Sequence, residues 1–278
     1  MRSEESRLLK AFYYVTLLLG SLIVLFPPYT VFITSLKSKH EFLQSRFALP
    51  ENLFNLDNYV FIFEKTKLIS TALPNTLYII AVSVAGNIVL GTMVAYALGR
   101  FEFKLKKYII GAYLLASVIP LVTTQVATYK LMNALGLINN IHAPILLNLG
   151  ADVISIIIYL QFSRNIAYAL DESAMLEGAS LFRIYWQIFF PLLLPATVTV
   201  VILRTIYIYN DFYIPFLYLT KPSLQVVSTS IFQFVGPNAA SWNNISAMIF
   251  VIFIPAIVLF LFLQKFIYAG VTSGSVKG

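Results

Sequence analysis

The sequence predicts an all-α membrane protein with about six transmembrane helices, and three observations carry this prediction. Of the 278 residues, 59% are hydrophobic and only 11% are charged, whereas a soluble domain carries about 25% charged residues. The apolar residues gather in six stretches, each close to or above the ~20 residues that a helix needs to cross a bilayer. A polar stretch, residues 164–190, separates the fourth from the fifth. Because no segment is large enough to fold as a separate soluble domain, residues 1–278 are predicted to form a single transmembrane domain.

The six apolar stretches follow one another along the chain. They are Phe12–Ile33, Thr71–Leu98, Tyr108–Leu131, Pro144–Phe162, Pro191–Leu219 and Ile245–Tyr268. The first is too long for the apolar core of a signal peptide and lacks a small-residue cleavage site, so we expect an uncleaved span. The connection Lys37–Ser70 leaves the most room for structure outside the membrane.

Basic residues near the ends of the spans predict the orientation, because they gather on the cytoplasmic side. With the amino terminus inside, eleven fall on the cytoplasmic side and seven on the other. The Arg100–Lys107 connection is the clearest case, since short loops dominate this rule. Both termini and residues 164–190 are therefore predicted to lie in the cytoplasm.

Polar side chains inside three of the spans are candidates for a translocation path. The second span carries Thr76, Ser83 and Asn87, the fourth carries Asn148, Asp152, Ser155 and Tyr159, and the fifth carries Arg204, Asn210 and Asp211. In a continuous helix, Arg204 and Asp211 would share nearly the same face, because they are seven residues apart. Hydroxyls and amides can replace water around a polar solute. A buried ion pair and interhelical hydrogen bonds that hold the bundle together explain the same residues equally well.

Residues 164–190, here called the connecting segment, are typical of two short helices with a hinge. Asp171 and Glu172 suit a helix amino terminus, where exposed N–H groups favour carboxylates. Gly178 interrupts this helix after about two turns, and Ser180 can cap the next one. The second helix carries aromatic residues at i, i+3, i+4 and i+7, which predicts one apolar face: Phe182, Tyr185, Trp186 and Phe189. Such a pair of helices suits docking by another protein, whereas the glycine alone fits an ordinary loop.

The sequence argues against catalytic and metal chemistry. Cysteine is absent, which excludes thiolate metal sites, and the two histidines, His40 and His142, stand far apart without a carboxylate cluster. The phosphate-binding pattern G-x-x-x-x-G-K-[ST] is missing, so the chain has no P-loop ATP site of its own. The net charge of +7 comes mostly from residues that flank spans, where anionic lipid explains them. We therefore predict no catalytic residue, metal, bound cofactor or nucleic-acid partner.

The connecting segment closely resembles the EAA loop of bacterial ABC importer permeases. It reads Glu172-Ser173-Ala174, three residues, Gly178, nine residues, Ile188, one residue, Phe190-Pro191, where the family has E-A-A, three residues, G, nine residues, I, one residue, L-P. Ser for Ala at 173, Glu for Asp at 177 and Phe for Leu at 190 are mild departures. The resemblance implies a cytoplasmic coupling loop that docks on an ATPase through Glu172, Ser173, Ala174, Met175, Leu176, Gly178 and Ala179.

Further segments resemble carbohydrate importer permeases in particular. Asn210-Asp211-Phe212 resembles their Asn-Glu-Phe segment, residues 94–101 resemble A-A-Y-A-L-A-R-F, and residues 135–140 resemble L-G-L-x-N-T. The tail, residues 270–278, is similar to G-L-T-A-G-A-V-K-G, a pattern particular to the second, smaller permease of maltose-type importers. The similarity covers most of the chain.

This resemblance implies an assembly in the bacterial inner membrane. The implied partners are a second permease, two cytoplasmic P-loop ATPases that hold ATP and Mg²⁺, and an extracytoplasmic solute-binding protein. The Thr220–Asn243 loop would face the binding protein, and the tail would reach the ATPases. Because the other permease mainly holds the sugar in the maltose system, the resemblance does not make Asp152, Arg204 or Asp211 sugar ligands.

The sequence therefore predicts a permease subunit of an ATP-driven importer for a mono- or oligosaccharide. A permease for a non-sugar solute is the nearest alternative. An ion-coupled secondary transporter is a second, in which Asp152, Arg204 and Asp211 would relay protons. Internal repeats or broken helices would favour that second alternative, and the sequence shows no convincing repeat.

Overall fold

The computed structural model describes residues 2–235 and 241–275, and the regular elements in these ranges are all helical. The α-helices are α1 (Arg2–Ser35), α2 (Lys39–Gln44), α3 (Asp57–Lys65), α4 (Leu73–Arg100), α5 (Lys106–Val118), α6 (Leu121–Ala134), α7 (His142–Leu149), α8 (Val153–Ser163), α9 (Tyr168–Leu176), α10 (Leu181–Ile184), α11 (Phe190–Leu192), α12 (Leu194–Asn210), α13 (Tyr213–Tyr218), α14 (Val227–Ser230) and α15 (Trp242–Ser275). Two π-helical turns, Leu68–Ala72 and Tyr185–Phe189, and two 3-10 turns, Pro222–Leu224 and Ile231–Phe234, complete the set. The all-α membrane fold predicted from composition is confirmed.

Helices that could cross a membrane are continuous at the start of the chain and bent further along. In the described part, Leu9–Ser35 and Leu68–Arg100 are each long and apolar enough to span. Three further candidates are bent pairs: α5 with α6 at 103°, α7 with α8 at 40°, and Leu181–Leu192 with α12 at 72°. This makes two spans by length and composition, or up to five if each bent pair counts as one. The sixth predicted stretch, Ile245–Tyr268, lies within α15.

The chain divides into two compact units. The first contains residues 1–68 and 230–257. Within it, Lys37 is buried and its Nζ donates to the carbonyl oxygens of Ser45 and Arg46 at 3.0 and 3.1 Å. Asn58 Nδ2 donates to the carbonyl oxygens of Ser35 and Lys37, both at 2.8 Å. These bonds fold the connection after α1 back on itself.

A capping box starts α2 in the same unit. Glu41 N donates to Ser38 Oγ at 3.2 Å, and a carboxylate oxygen of Glu41 accepts from Ser38 N. The other carboxylate oxygen of Glu41 accepts from Glu51 N at 2.8 Å. These bonds, led by the one from Ser38 N, hold the pKa of Glu41 below its ordinary value.

The second unit, residues 69–229 and 258–278, is a helical bundle with α4 at its centre. Helices α7, α8 and α12 pack against α4. Close approach requires a small residue at Gly91, because a Cβ there would lie 3.1 Å from the ring of Tyr159 on α8. The described residues 2–235 and 241–275 leave out 236–240 of the Thr220–Asn243 loop and 276–278 of the tail.

A hydrophobic cluster joins the end of α4 to the connecting segment. Its buried members are Ala95, Tyr96, Tyr159, Ile184, Tyr185, Phe189, Leu193, Ala196 and Val200. Burial of aromatic side chains removes a large apolar area from water, so such a cluster holds together the elements that supply it. The connecting segment is therefore part of the bundle's core on one side.

Candidate functional site

The connecting segment forms the predicted helix–hinge–helix. Helix α9 begins at Tyr168, before the predicted start at Asp171, so Asp171 completes its first turn. The helix ends at Leu176, and Gly178, two residues later, has a φ of +81°, the left-handed conformation that glycine adopts without strain. Gly178 N donates to Met175 O at 3.0 Å and Ala179 N donates to Ala174 O at 2.9 Å. This pair of bonds is a Schellman motif, which satisfies carbonyl groups at the helix end.

The second helix differs from the prediction in the face it presents. Ser180 caps it as expected, with Oγ accepting from Arg183 N at 3.3 Å. From Tyr185 to Phe189 the helix widens into a π turn, which shifts the register that an α-helix would keep. Tyr185 and Phe189 are buried, whereas Phe182 and Trp186 are exposed. The single apolar face predicted for these four aromatic residues is therefore wrong.

A buried ion pair ties the connecting segment to the end of α4. Arg100 Nε lies 2.8 Å from Asp171 Oδ2, and both side chains are almost completely buried. Arg100 Nη1 also donates to Ile166 O at 2.9 Å. The guanidinium carbon lies 4.4 Å from the ring centroid of Tyr168 and 5.3 Å from that of Phe189, distances at which cation–π attraction operates.

Burial and the ion pair act in opposite directions on the pKa of Asp171. Burial raises the pKa of Asp171 above its ordinary value, the guanidinium of Arg100 opposes this, and the charge of Glu172 adds to it. In the sequence, Arg100 indicates orientation and Asp171 indicates a helix start, and neither residue points to the other. The signal that could have joined them is that Arg100 ends a span and Asp171 lies in the loop that returns to it.

The seven residues predicted to dock on another protein divide between two faces of the connecting segment. Ala174 and Ala179 are half-buried and pack against the hydrophobic cluster. Glu172, Ser173, Met175, Leu176 and Gly178 are exposed. Leu176 is 90% exposed and Met175 46%. One face therefore holds the segment on the bundle, and the other presents a carboxylate beside apolar side chains.

The predicted polar stripe of the fourth span is interrupted. The chain leaves the helix between α7 and α8, and Asp152 caps α8. Its Oδ1 accepts from Ile154 N at 3.0 Å and from Ser155 N at 3.1 Å. The continuous stripe over Asn148, Asp152, Ser155 and Tyr159 is wrong, because a carboxylate is more stable at a helix start than within a helix.

Arg204 on α12 bridges this helix break. Its Nη2 donates to Asn148 O at 3.1 Å and to Asn148 Oδ1 at 3.3 Å, and its Nε lies 3.6 Å from Asp152 Oδ2. From α4, Asn87 Nδ2 donates to Gly150 O at 2.6 Å and to Asp152 Oδ2 at 3.0 Å. Ser155 Oγ donates to the same Asp152 oxygen. These bonds favour the interpretation that Asn87, Asn148, Asp152, Ser155 and Arg204 mostly hold the helices together, over the interpretation that they line a translocation path.

The remaining candidates of the fourth and fifth spans lie apart from this bridge. Helix α12 ends at Asn210 and Asp211 is its C-cap, so the prediction that Asp211 shares a helix face with Arg204 is wrong. The reason is that Asp211 Oδ1 accepts from Ile214 N at 3.2 Å, at the start of α13. Asn210 Nδ2 donates back to Ile206 O at 2.9 Å, and Tyr159 is fully buried in the hydrophobic cluster.

Two cavities adjoin these polar residues. The larger has a volume of about 310 Å³ and is lined by Gln125, Thr128, Leu147, Asn148, Gly150, Ala151, Asp152, Arg204, Tyr207 and Ile214. The smaller, about 10 Å³, is lined by residues that include Thr76, Asn148 and Asp211. Sequence reasoning missed Gln125, Thr128 and Tyr207. The signal for the first two was available, because they stand three residues apart on α6 among other polar residues. Tyr207 was counted with the apolar part of its span.

Polar contacts also join two turns at one end of the second unit. Asn139, with φ of +55°, donates from its backbone N to Tyr218 O at 2.8 Å. Its Oδ1 accepts from Thr220 N at 2.8 Å, Thr220 Oγ1 at 2.7 Å and Lys221 N at 3.1 Å. The turn after α6 and the segment after α13 are therefore held together by one side chain.

Within residues 2–235 and 241–275, no group of three or more histidine, aspartate and glutamate side chains is placed to hold a metal ion. The polar groups described above are instead engaged by helix ends, by backbone carbonyls and by one another. Their chemistry is that of hydrogen bonding and charge pairing.

Comparison with known proteins gives curated relatives along most of the chain, although no protein-family model matches it. The chain is 32% identical over 254 residues to the melibiose/raffinose/stachyose import permease protein MelC of Bacillus subtilis (strain 168), covering 91% of each chain. It is 34% identical over 207 residues to the galactooligosaccharides transport system permease protein GanQ of the same organism, covering 73% of each. It is 29% identical to the probable starch degradation products transport system permease protein AmyC of Thermoanaerobacterium thermosulfurigenes, covering 92% of this chain and 93% of that one.

Solved structures agree on the fold. A chain of a bacterial ABC transporter involved in the import of the acidic polysaccharide alginate matches with a TM-score of 0.80 and 21% identity, covering 94% of this chain and 97% of that chain. A second structure, of the bacterial alginate ABC transporter in complex with an alginate pentasaccharide-bound periplasmic protein, matches with a TM-score of 0.67 and 20% identity.

Proposed function

The chain belongs to the permease subunits of carbohydrate ABC importers, and on that premise we propose that it forms half of the translocation path of an oligosaccharide importer. The observation that carries the proposal is the 32% identity to the melibiose/raffinose/stachyose permease over 91% of both chains. The relatives' names cover several oligosaccharides, so the class of solute is supported more firmly than any one sugar.

The proposed assembly contains a second permease, two cytoplasmic ATPases and an extracytoplasmic binding protein. One of the structural neighbours is a complex with a periplasmic protein, which supports the last of these partners. The chain lacks the P-loop pattern, so ATP and Mg²⁺ would be held by the ATPases. This chain would then contribute no catalytic residue, and the hydrolysis would belong to its partners.

The proposed orientation places both termini and the connecting segment in the cytoplasm of the bacterial cell, with the chain in the inner membrane. The exposed residues Glu172, Ser173, Met175, Leu176 and Gly178 are here called the docking face of the connecting segment. The basic Arg100–Lys107 connection and the docking face support this orientation, since both would then face the ATPases. The Thr220–Asn243 loop and the turn that Asn139 holds against residues 218–221 would face the binding protein.

In the proposed mechanism, the connecting segment carries motion from the ATPases to the bundle. Glu172 would bind the ATPase through a charge-assisted hydrogen bond, and Met175 and Leu176 would fill an apolar part of its cleft. The Schellman motif at Gly178 and the buried Arg100–Asp171 pair make the segment rigid on its inner face. Closure of the ATPase dimer would therefore rotate the segment together with α4, and the bundle would alternate between inward- and outward-facing states.

Reconstitution tests this proposal. The chain is tagged, purified from its native membrane with the proteins that accompany it, and placed in liposomes with ATP inside and the binding protein outside. Uptake is measured with radiolabelled raffinose, maltotriose, arabinotriose and galactotriose. We expect ATP-dependent uptake of at least one of these sugars, together with recovery of a second permease and a P-loop ATPase.

The two alternatives give different results in the same experiment. An ion-coupled transporter would work without ATP and stop when a protonophore is added; the bent spans, which such transporters also show, would then have their explanation. A permease for another solute would assemble with an ATPase but would take up none of the four sugars. Either result would overturn the proposal.

A further inference from the structure

The larger cavity is the feature that the coupling mechanism leaves without a role. It lies beside the break between α7 and α8, where Arg204 and Asp152 meet. We propose that this cavity is a binding subsite of this subunit for one unit of an uncharged saccharide, contacted by Gln125, Thr128 and Tyr207. The proposal rests on the proposed function and adds to it a direct contact between this subunit and the solute.

The size of the cavity fits a single sugar unit. Its volume is about 310 Å³, at the lower end of the ~300–1,000 Å³ found for pockets that bind small molecules. A longer oligosaccharide would extend beyond it toward the partner permease. The cavity would therefore recognise a unit of the chain rather than its whole length.

The groups along the wall suit hydroxyl hydrogen bonding. Gln125 Nε2 donates to Tyr218 OH at 2.9 Å, which holds the amide in one orientation with its carbonyl oxygen as an acceptor. Thr128 Oγ1 donates to Thr124 O at 3.0 Å, so its oxygen lone pairs are oriented away from its own helix turn. Both residues are on α6, one helical turn apart, and both line the cavity. They form a polar edge that an apolar occupant would leave unsatisfied.

Tyr207 supplies an apolar surface next to this edge. Its side chain is 50% exposed, and the guanidinium carbon of Arg204 lies 5.0 Å from its ring centroid. A sugar ring has a face of C–H groups that packs on an aromatic ring, while its hydroxyls point outward to polar partners. The combination of one ring with amide and hydroxyl groups is therefore matched to a saccharide.

The charges of the wall indicate that this saccharide unit is neutral. Of the lining residues, only Asp152 and Arg204 carry a charge at neutral pH, and these two pair with each other. Arg204 Nη2 also donates hydrogen bonds to Asn148. A uronate carboxylate would enter without a free cation to compensate it, which is costly in a partly buried site. The hydroxyls of a neutral sugar carry no such cost.

The absence of cysteine from the chain allows a direct test. Thr128→Cys places one thiol in the cavity, and Thr123→Cys places one on the same helix, exposed and outside the lining. Each variant complex is treated with a small maleimide, and modification of this chain is measured by mass spectrometry. The probes are the neutral trisaccharide that the wild-type complex takes up and an alginate trisaccharide, both at the same millimolar concentration.

We expect the neutral trisaccharide to slow modification of Thr128→Cys severalfold and to leave Thr123→Cys unchanged, and we expect no protection by the alginate trisaccharide. Equal modification of Thr128→Cys with and without the neutral sugar would overturn the subsite. Protection by both sugars would overturn the proposal that the subsite binds only uncharged saccharide units. A wild-type complex without uptake of any sugar would instead contradict the proposed function, so the two failures are distinct.

Uptake kinetics give a second, independent measurement. Tyr207→Ala is expected to raise the KM for trisaccharide uptake by about fivefold, the size of one lost aromatic contact. Tyr207→Phe should restore the wild-type KM, because the ring is retained. Tyr108→Ala, which removes an exposed ring outside the cavity, serves as the control. An equal KM for Tyr207→Ala and the wild type would remove Tyr207 from the subsite.

Discussion

Arg100, the last residue of α4, and Asp171, in the first turn of α9, form a buried ion pair in which Nε lies 2.8 Å from Oδ2. The pair joins α4 to the connecting segment through their side chains. Because the rings of Tyr168 and Phe189 lie close to the guanidinium, the contact is shielded from water. It is a direct polar link between the connecting segment and α4, the helix at the centre of the bundle.

Asp171→Ala should therefore weaken both the protein and its coupling. The substitution leaves Arg100 buried and unpaired, which costs about 3 kcal/mol or more. We expect a lower thermal midpoint of the detergent-solubilised chain and uptake reduced at least tenfold. Glu102→Ala removes the exposed Lys106–Glu102 pair, and as a control it should change neither, since surface pairs contribute about 0–1 kcal/mol. Equal effects of the two substitutions would contradict the role of the buried pair.

Gly178 gives a prediction from backbone conformation. At φ of +81°, proline is excluded because its ring fixes φ near −65°, whereas asparagine tolerates the left-handed region. Gly178→Pro should abolish uptake while the chain still inserts in the membrane, and Gly178→Asn should retain most of it. Gly111→Ala, at a glycine without neighbours within 4 Å, is the matched control. Normal uptake by Gly178→Pro would remove the hinge from the mechanism.

These two residues also show what the sequence could and could not predict. The hinge at Gly178 and the cap at Ser180 depend on local chemistry, namely a positive φ and a hydroxyl at a helix start, so the sequence was sufficient. The Arg100–Asp171 pair joins residues 71 positions apart, and no local pattern indicates such a partner.

The breaks in the spans were missed for a related reason. An aspartate in an apolar stretch fits a polar helix face and a helix cap equally well, and Asp152 and Asp211 are both at helix ends. For Asp152, only the tertiary contacts with Asn87 and Arg204 decide between these two roles. The spacing of the aromatic residues likewise did not indicate the π turn at residues 185–189.

The docking face gives a prediction that separates binding from folding. Leu176 is 90% exposed, so Leu176→Asp should change the stability of the isolated chain by less than about 0.5 kcal/mol. It should nevertheless reduce co-purification of the ATPase and abolish uptake, because a carboxylate would enter an apolar cleft. Glu172→Lys should act similarly by reversing a charge. Leu43→Asp, on α2 and 73% exposed, is the control, and retention of the ATPase by Leu176→Asp would contradict the docking face.

The capping box of α2 gives a prediction in pH. The pKa of Glu41 lies below its ordinary value of 4.5, chiefly because its carboxylate accepts from Ser38 N. A lowered pKa in the folded state stabilises the fold above 4.5, and this contribution is lost as the pH falls through the lowered value. We expect amide exchange at Ser38 and Glu51 to accelerate over that range. Glu41→Gln should remove the pH dependence, and an unchanged profile in this variant would assign the effect to another group.

Asp152 gives the prediction that separates structural packing from proton relay. Asparagine caps a helix as well as aspartate does, but it cannot carry a proton. If Asp152 serves mainly to start α8 and hold Arg204, Asp152→Asn should retain at least about half of the uptake, because the cap and the hydrogen bond to Asn87 or Arg204 persist in part. Asp152→Ala should lose about tenfold, since it removes a cap worth ~1 kcal/mol and leaves Arg204 without its charge partner. Uptake by liposomes with ATP and a protonophore measures both, and loss of uptake in Asp152→Asn equal to that in Asp152→Ala would favour a relay over a structural role.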